Sequence, residues 1–327
     1  MDFFVKNTLQ ATEVYNTYWK FACERQDIFM KKLQGLEQPW TNDKILQNYK
    51  FTNAYRASDR VSQYLIKNVI YSENLSDEDV LFRVLLFKFF NKIETWEFLE
   101  SKLEKIQYKT YKRKAYSNVL DYMFENKMTI YSNAYIMPSG KKEFGNTRKF
   151  ENHLDLIELM FNNHLLLQIK NCKSLNELYL QLINYPTIGP FLAFQYAIDI
   201  NYSEICDFDE MEFVVAGPGA KSGIRKCFSN TGKYNESDII KYVADNQTQE
   251  FSKRNLVFKD LWGRKLQLID CQNLFCETDK YARIAHPNIK GLSNRIRIKQ
   301  KYTNSNKKLD LFYPPKWNLN INVFNYE

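Results

Sequence analysis

The 327-residue sequence is 44% hydrophobic and 26% charged, with a net charge of +8, which gives it enough apolar content to bury a sizeable core and too much for a disordered chain. Apolar stretches such as 80–90 are interrupted by Arg83 and Lys88 and fall short of the ~20 residues of a membrane span, and the first residues carry Asp2, Lys6 and Glu13 instead of an apolar signal segment, so an intracellular protein without a membrane partner is expected. Six cysteines without a C-x-x-C pair exclude a disulfide scaffold, and the C-x4-C spacing of Cys271 and Cys276 lacks the further ligands of a zinc site, so neither a metal nor another cofactor is expected.

Glycine (10) and proline (8) are scarce, which favours a mainly helical fold with few strands. In chain order, Asn53, Arg56, Asp59, Arg60 and Gln63 recur at spacings of three and four and predict a helix over 53–66 with one densely polar face, turned either to solvent or to a cleft. Ser76 and Asp79 form a near capping box for a long helix over 77–103 whose middle is strongly apolar; Glu94 on it is a further cleft candidate. A β-like run over 128–137 ends at the break Pro138-Ser-Gly140, and helical patterns resume over 152–163 and 175–185. The polar, turn-rich stretch 229–248 reads as a surface excursion.

The most specific local signal is LINYPTIGPFLA (182–193), followed by a helical run over 194–198. An apolar helix end, a turn holding Pro186 and Gly189, and a second helix entered through Pro190 make a helix-hairpin-helix, which aims backbone N–H groups at a phosphate and needs a small residue at the turn. Gly189 supplies it. Thr187 stands where such hairpins usually carry a second glycine, so phosphate contact and a purely structural turn both remain open. About twenty residues on, Asp209, Glu210 and Glu212 form an acidic cluster able to supply a general base or a charge stabiliser. GPGAKSG (217–223) is not a Walker A loop, because Ala220 precedes Lys221; it reads as a Gly-rich turn that forms an anion nest with Lys221 and Arg225.

In the last third, Asp270, Asn273, Glu277 and Lys280 share one helix face, as either a buried polar network or a substrate site. His286, ahead of Pro287, reads as a capping or core histidine. From Lys280 onward ten basic residues stand against two acidic ones, which is the whole net charge; a polyanion partner is the natural reading, with Arg295 and Arg297 as phosphate contacts.

Six collinear stretches, TYWKFACERQ (17–26), PWT (39–41), FTNAYRASDRVSQYL (51–65), FNKIETWE (90–97), FVVAGPGA (213–220) and DCQNLFCETDKY (270–281), resemble the helical domain described with 5-hydroxymethyluracil DNA kinases and the related α-glutamyl/putrescinyl thymine pyrophosphorylases. The resemblance implies a two-lobed, glycosylase-like helical fold: a domain over 1–300, with an N-terminal lobe (about 1–130), a helix-hairpin-helix lobe (about 131–230) and a return to the first lobe (231–300), then a basic extended tail over 301–327. It implies an enzyme that substitutes or transfers a group on a hydroxymethyluracil-type base in DNA, with an amine or amino acid as co-substrate. Glu212 and then Asp209 would be the carboxylates of that step, and Lys221 and Arg225 would hold a leaving pyrophosphate. A glycosylase that excises a modified base, and a non-catalytic DNA-binding module, are the alternatives.

Overall fold

The computed structural model describes residues 9–293, 295–303 and 309–324. It is mainly helical, with a single two-stranded antiparallel sheet among the described residues. Two compact units divide the chain: one takes the residues up to Asp59, Val214–Leu311 and Leu319 onward, the other Arg60–Phe213 and Phe312–Asn318.

The first unit opens with β1 (Gln10–Ala11) and the long helix α1 (Glu13–Leu33). Thr12 caps α1 by accepting from Val14 N, and the helix carries Glu13 in its first turn and Lys31 and Lys32 in its last, complementing the helix dipole. After α2 (Lys44–Asn48), residues 51–59 are not helical, except for one 3-10 turn at Arg56–Ser58. The helix expected over 53–66 thus begins only with α3 (Arg60–Tyr64), which runs into a π-turn at Leu65–Ile70. The segment is held as a loop by side chains: the N–H groups of Thr52 and Arg56 are taken by Glu277 and Asp270, both distant in sequence, and that of Asn53 by Asp59.

The second unit continues with α4 (Asp77–Phe90) and α5 (Ile93–Lys102). Ser76 caps α4 as expected, but the single long helix is broken at Asn91, which turns left-handed (φ 48°). Arg83, buried within α4, donates to the carbonyls of Asn68 and Val69 at the end of the π-turn, at 2.8 and 2.7 Å, satisfying acceptors that a helix end would otherwise orphan. The run 128–137 forms no strand. There follow α6 (Arg113–Glu125), α7 (Lys141–Phe144), α8 (Lys149–Asn162), α9 (Leu165–Asn171), α10 (Leu175–Ile183) and α11 (Pro190–Asn201). Their core is strongly aromatic, with Phe82, Phe87, Phe89, Trp96, Phe150 and Tyr196 all within 2% of full burial.

Back in the first unit, α12 (Pro218–Cys227) leads into β2 (Phe228–Asn230), which pairs with β1. The stretch expected as a surface excursion instead holds α13 (Glu236–Asp245), with a complete Asn235/Asp238 capping box and a buried face of Ile239, Ile240 and Val243. After α14 (Gln247–Ser252) comes α15 (Leu268–Ala285), packed on α1 through Tyr18 and Phe275, whose rings lie 4.5 Å apart, and on α12. The short helix α16 (Asn320–Phe324) ends the described chain. Lys307 and Lys308 of the basic tail lie outside the described residues. No helix among the described residues is long and apolar enough to cross a membrane.

Candidate active site

The polar face of α15 clamps the loop 52–59. Asp270, at the third position of the helix, accepts from Gln267 N at its own N-cap (2.9 Å) and from Arg56 N (2.7 Å). Two turns later Glu277 accepts from Thr52 N (3.0 Å) and pairs with Lys280 (2.7 Å). From α1, Arg25 donates Nε to the Thr52 carbonyl (2.9 Å) and Nη2 to Asn53 Oδ1 (2.8 Å). Asp59 closes the loop by accepting from Asn53 N at 2.7 Å. Asp270 and Glu277 are buried in this network, and Asn273 lies half-buried on the same helix.

Within this clamp Asp59 is half-buried. Burial raises its carboxyl to about 7; the Asn53 N–H, Arg25 and Arg56 oppose the rise and the charge of Glu277 adds to it. Burial also lowers the Arg25 guanidinium, while Asp59 and Glu277 support it. A carboxyl that titrates near neutrality between two arginines is suited to accept or return a proton. Asp59 and Arg25 were not among the expected site residues. The legible signal was that Asp59 lies in the polar stripe over 53–63 and that both residues fall in stretches that carry the family resemblance.

The other expected residues are dispersed. Arg56 is 3% exposed. Arg60 and Glu94 are both exposed and 3.9 Å apart, a solvent-facing pair, and Gln63 is buried with its Oε1 accepting from Phe312 N. Asp209 and Glu212 are exposed in the loop after α11, where Asp209 accepts from Met211 N (2.8 Å) in a local turn; of the three acids there, Glu210 is the buried one. Thr187 and Gly189 lie in the six-residue turn between α10 and α11. Thr187 takes φ 68°, the left-handed conformation that favours glycine, whereas Gly189 has φ −78° and a Cβ there would meet nothing within 4 Å.

The expected Gly-rich turn at 217–223 is corrected to the helix α12. Its glycines serve packing: a Cβ on Gly219 would fall 2.2 Å from Cys276 Sγ, and one on Gly223 2.0 Å from the Phe275 carbonyl oxygen. Lys221 and Arg225 are exposed on this helix, while Lys226 is buried against Asp279 at 3.1 Å. His286 bridges α1, with Nε2 2.7 Å from Thr17 Oγ1 and Nδ1 3.0 Å from Glu13. In the second unit a buried ion pair, also unforeseen, joins Lys88 of α4 to Asp199 of α11 at 2.6 Å, with the ammonium 4.2 Å from the Tyr135 ring centre.

A groove of about 650 Å³ opens in the first unit, lined by Phe21 and Glu24 of α1, by Trp40, Thr41 and Asp43, and by Tyr281 of α15. Tyr281 donates to Asp43 (2.5 Å) and Thr41 to Glu24. None of the expected site residues lines it, yet stretches 17–26, 39–41 and 270–281 all contribute to its wall.

These helices are those of a recognisable class. Residues 12–291 match the family described as "5-hmdU DNA kinase, helical domain", and the chain belongs to that family. Among curated proteins it is similar to the "5-hmdU DNA kinase" of Bacillus phage SP10, 24% identical over 288 residues, which is 82% of this chain. The chain spans about half, 45%, of that relative's length. No solved structure matches it.

Proposed function

We propose that this chain is the helical part of a DNA-modifying activity that acts on a hydroxymethyluracil-type thymine base, and that Asp59 is its proton-transfer group. The observation that carries the reading is the clamped loop 52–59, which lies inside the family match and holds a carboxyl near neutral pKa between Arg25 and Arg56. In a substitution or group transfer at the base's methylene substituent, the attacking hydroxyl or amine must lose a proton, and a base of pKa near 7 is well matched to take it. An amine or amino acid is the co-substrate of the substitution form; a phosphoryl donor is that of the form suggested by the relative's name. Glu212 and Asp209 are the second choice for the base, and Lys221 and Arg225 for cations that meet a leaving anion. The α10–α11 turn fits a glycosylase-like helix-hairpin-helix that offers backbone N–H groups at Gly189 to a DNA phosphate.

The test uses hydroxymethyluracil DNA with ATP, or DNA carrying the pyrophosphorylated hydroxymethyluracil base with amines, followed by digestion to nucleosides and mass analysis. Product is expected to form with an apparent pKa near 7, and Asp59→Asn to lose about 100-fold or more in rate while DNA binding persists. Equal loss in Glu212→Gln alone would move the base to Glu212. Release of free base with an abasic site would make the chain a glycosylase, and binding with no product on any modified DNA would make it a recognition module.

A further inference from the structure

We propose that residues 295–301 form a phosphate track, in which Arg295, Arg297, Lys299 and Lys301 grip the backbone of a nucleic-acid strand; the proposal rests on the DNA-directed reading above and assigns it a contact surface. The segment lies just beyond the family match, which ends at residue 291. All four side chains are exposed, and they occupy every second position of a stretch free of helix and turn. In extended chain, alternate residues share a face and are spaced by about 6.6 Å. Ile298, 8% exposed between exposed Arg297 and Lys299, turns inward, while Ile296 and Gln300 are exposed like the four cations.

The track is fixed to the first unit by its backbone, which leaves its charges available. Lys50 N donates to the Gln300 carbonyl (3.1 Å), and Tyr302 N donates to that of Asn48 (3.0 Å), an antiparallel bridge between Tyr49 and Lys301. Further back, Arg283 Nη1 donates to the Arg297 carbonyl at 3.2 Å. The neighbouring cations on α15 are held in ion pairs, Lys280 with Glu277 and Arg283 with Asp279, which Lys226 shares. Among the described residues none of the four track cations has an ion-pair partner; Lys301 lies 4.2 Å over the Tyr49 ring. Unpaired cations at alternate positions of a backbone-anchored segment suit a partner that carries a row of anions, since each phosphate neutralised releases a counterion.

The experiment measures DNA affinity between about 50 and 200 mM salt for three proteins: wild type, a variant with all four track residues changed to Gln, and a control in which exposed Lys112, Lys114, Lys141 and Lys142 become Gln. The slope of log K against log salt is expected to fall by about 3 to 4 on duplex DNA and slightly less on a single strand for the track variant, and to change little in the control. Lys299→Gln/Gln300→Lys keeps the net charge and is expected to lose roughly one unit of slope, which a bulk charge effect would not move. Thermal midpoints equal to wild type establish that the variants fold. A track variant indistinguishable from the control, or a wild type that does not bind DNA at low salt, overturns the track. Loss of binding in the track variant supports it even if no base product is formed by any of the proteins, an outcome that would sink only the enzymatic reading.

Discussion

Asp59 ties stability to pH in a direction opposite to that of most paired carboxylates. Its folded pKa, about 7, lies above the ordinary 3.8, so the protonated form is favoured by folding. The associated stability is full below pH 4 and is lost as the pH rises toward 7, by at most about 4 kcal/mol. Asp59→Asn is expected to remove this slope and to be more stable than wild type at pH 7.5 but not at pH 4, as urea titrations at the two values would reveal; parallel pH profiles for the two proteins would reject a raised carboxyl. At the α10–α11 turn the two residues of interest behave oppositely. Thr187 holds a left-handed φ with a branched side chain, a strain of about 1–2 kcal/mol, so Thr187→Gly is expected to fold at least as stably as wild type. Gly189 needs no glycine for its own geometry, because its φ is ordinary and the space above it is open. Gly189→Ala should therefore leave the melting midpoint unchanged, and a tenfold weaker affinity for DNA in that variant would report a phosphate approaching the backbone there. Unchanged affinity would leave the turn structural.

At the level of elements, the crossing of α12 and α15 is set by small residues. Gly219 and Gly223 lie one turn apart on α12, and each is replaced, in effect, by an atom of α15: Cys276 Sγ at one, the Phe275 carbonyl at the other. A side chain can swing away but a helical carbonyl cannot, so Gly223→Ala is expected to cost roughly 3 kcal/mol, at the upper end for overpacking, and Gly219→Ala less. Equal stability of the Gly223 variant and wild type in urea would contradict the close crossing. The glycine spacing was visible in the sequence, but it invited an anion-nest reading because a sequence does not say whether a glycine admits a ligand or a neighbouring helix. Helices with local instructions were legible: Ser76 and the break near 138 marked real boundaries, and α10 and α11 fell where the apolar runs placed them. The loop over 53–59 was misread as helix because its N–H groups are satisfied by Asp270 and Glu277, more than 200 residues away in sequence. Asp59 was hidden for the same reason, since the burial that raises its carboxyl comes from tertiary packing and not from its neighbours.

Across the whole molecule the chain crosses between its two units at Asp59/Arg60 and Phe213/Val214, and again at its C-terminal end, where Phe312–Asn318 joins the second unit. The sequence of that last crossing, Tyr-Pro-Pro-Lys-Trp, reads as an extended terminus, because its apolar residues follow no helical or strand period. Part of it is nonetheless packed firmly. Tyr313 is fully buried, Phe312 N donates to Gln63 Oε1 (2.7 Å), and the Trp317 ring lies edge-on to Tyr202 at 5.6 Å. Lys316 donates to the carbonyls of Ser203 and Cys206, at 2.8 and 2.6 Å, just after α11 ends, so the segment serves as a cap for the second unit. Tyr313→Ala is expected to cost about 3–5 kcal/mol, as for other large buried aromatic side chains. Lys316→Met should cost about 1–3 kcal/mol by leaving two carbonyls without their donor. Hydrogen exchange separates the two effects: faster exchange in Lys316→Met should be confined to the amides around 203–208, whereas Tyr313→Ala should accelerate exchange through the second unit as far as α4. Unaltered protection at 203–208 in the lysine variant would mean that the segment rests against the unit without stabilising it, and that the loop carrying Asp209 and Glu212 is held by its other contacts, those of Tyr71 with Tyr202 and Glu204 and of Tyr179 with Phe213.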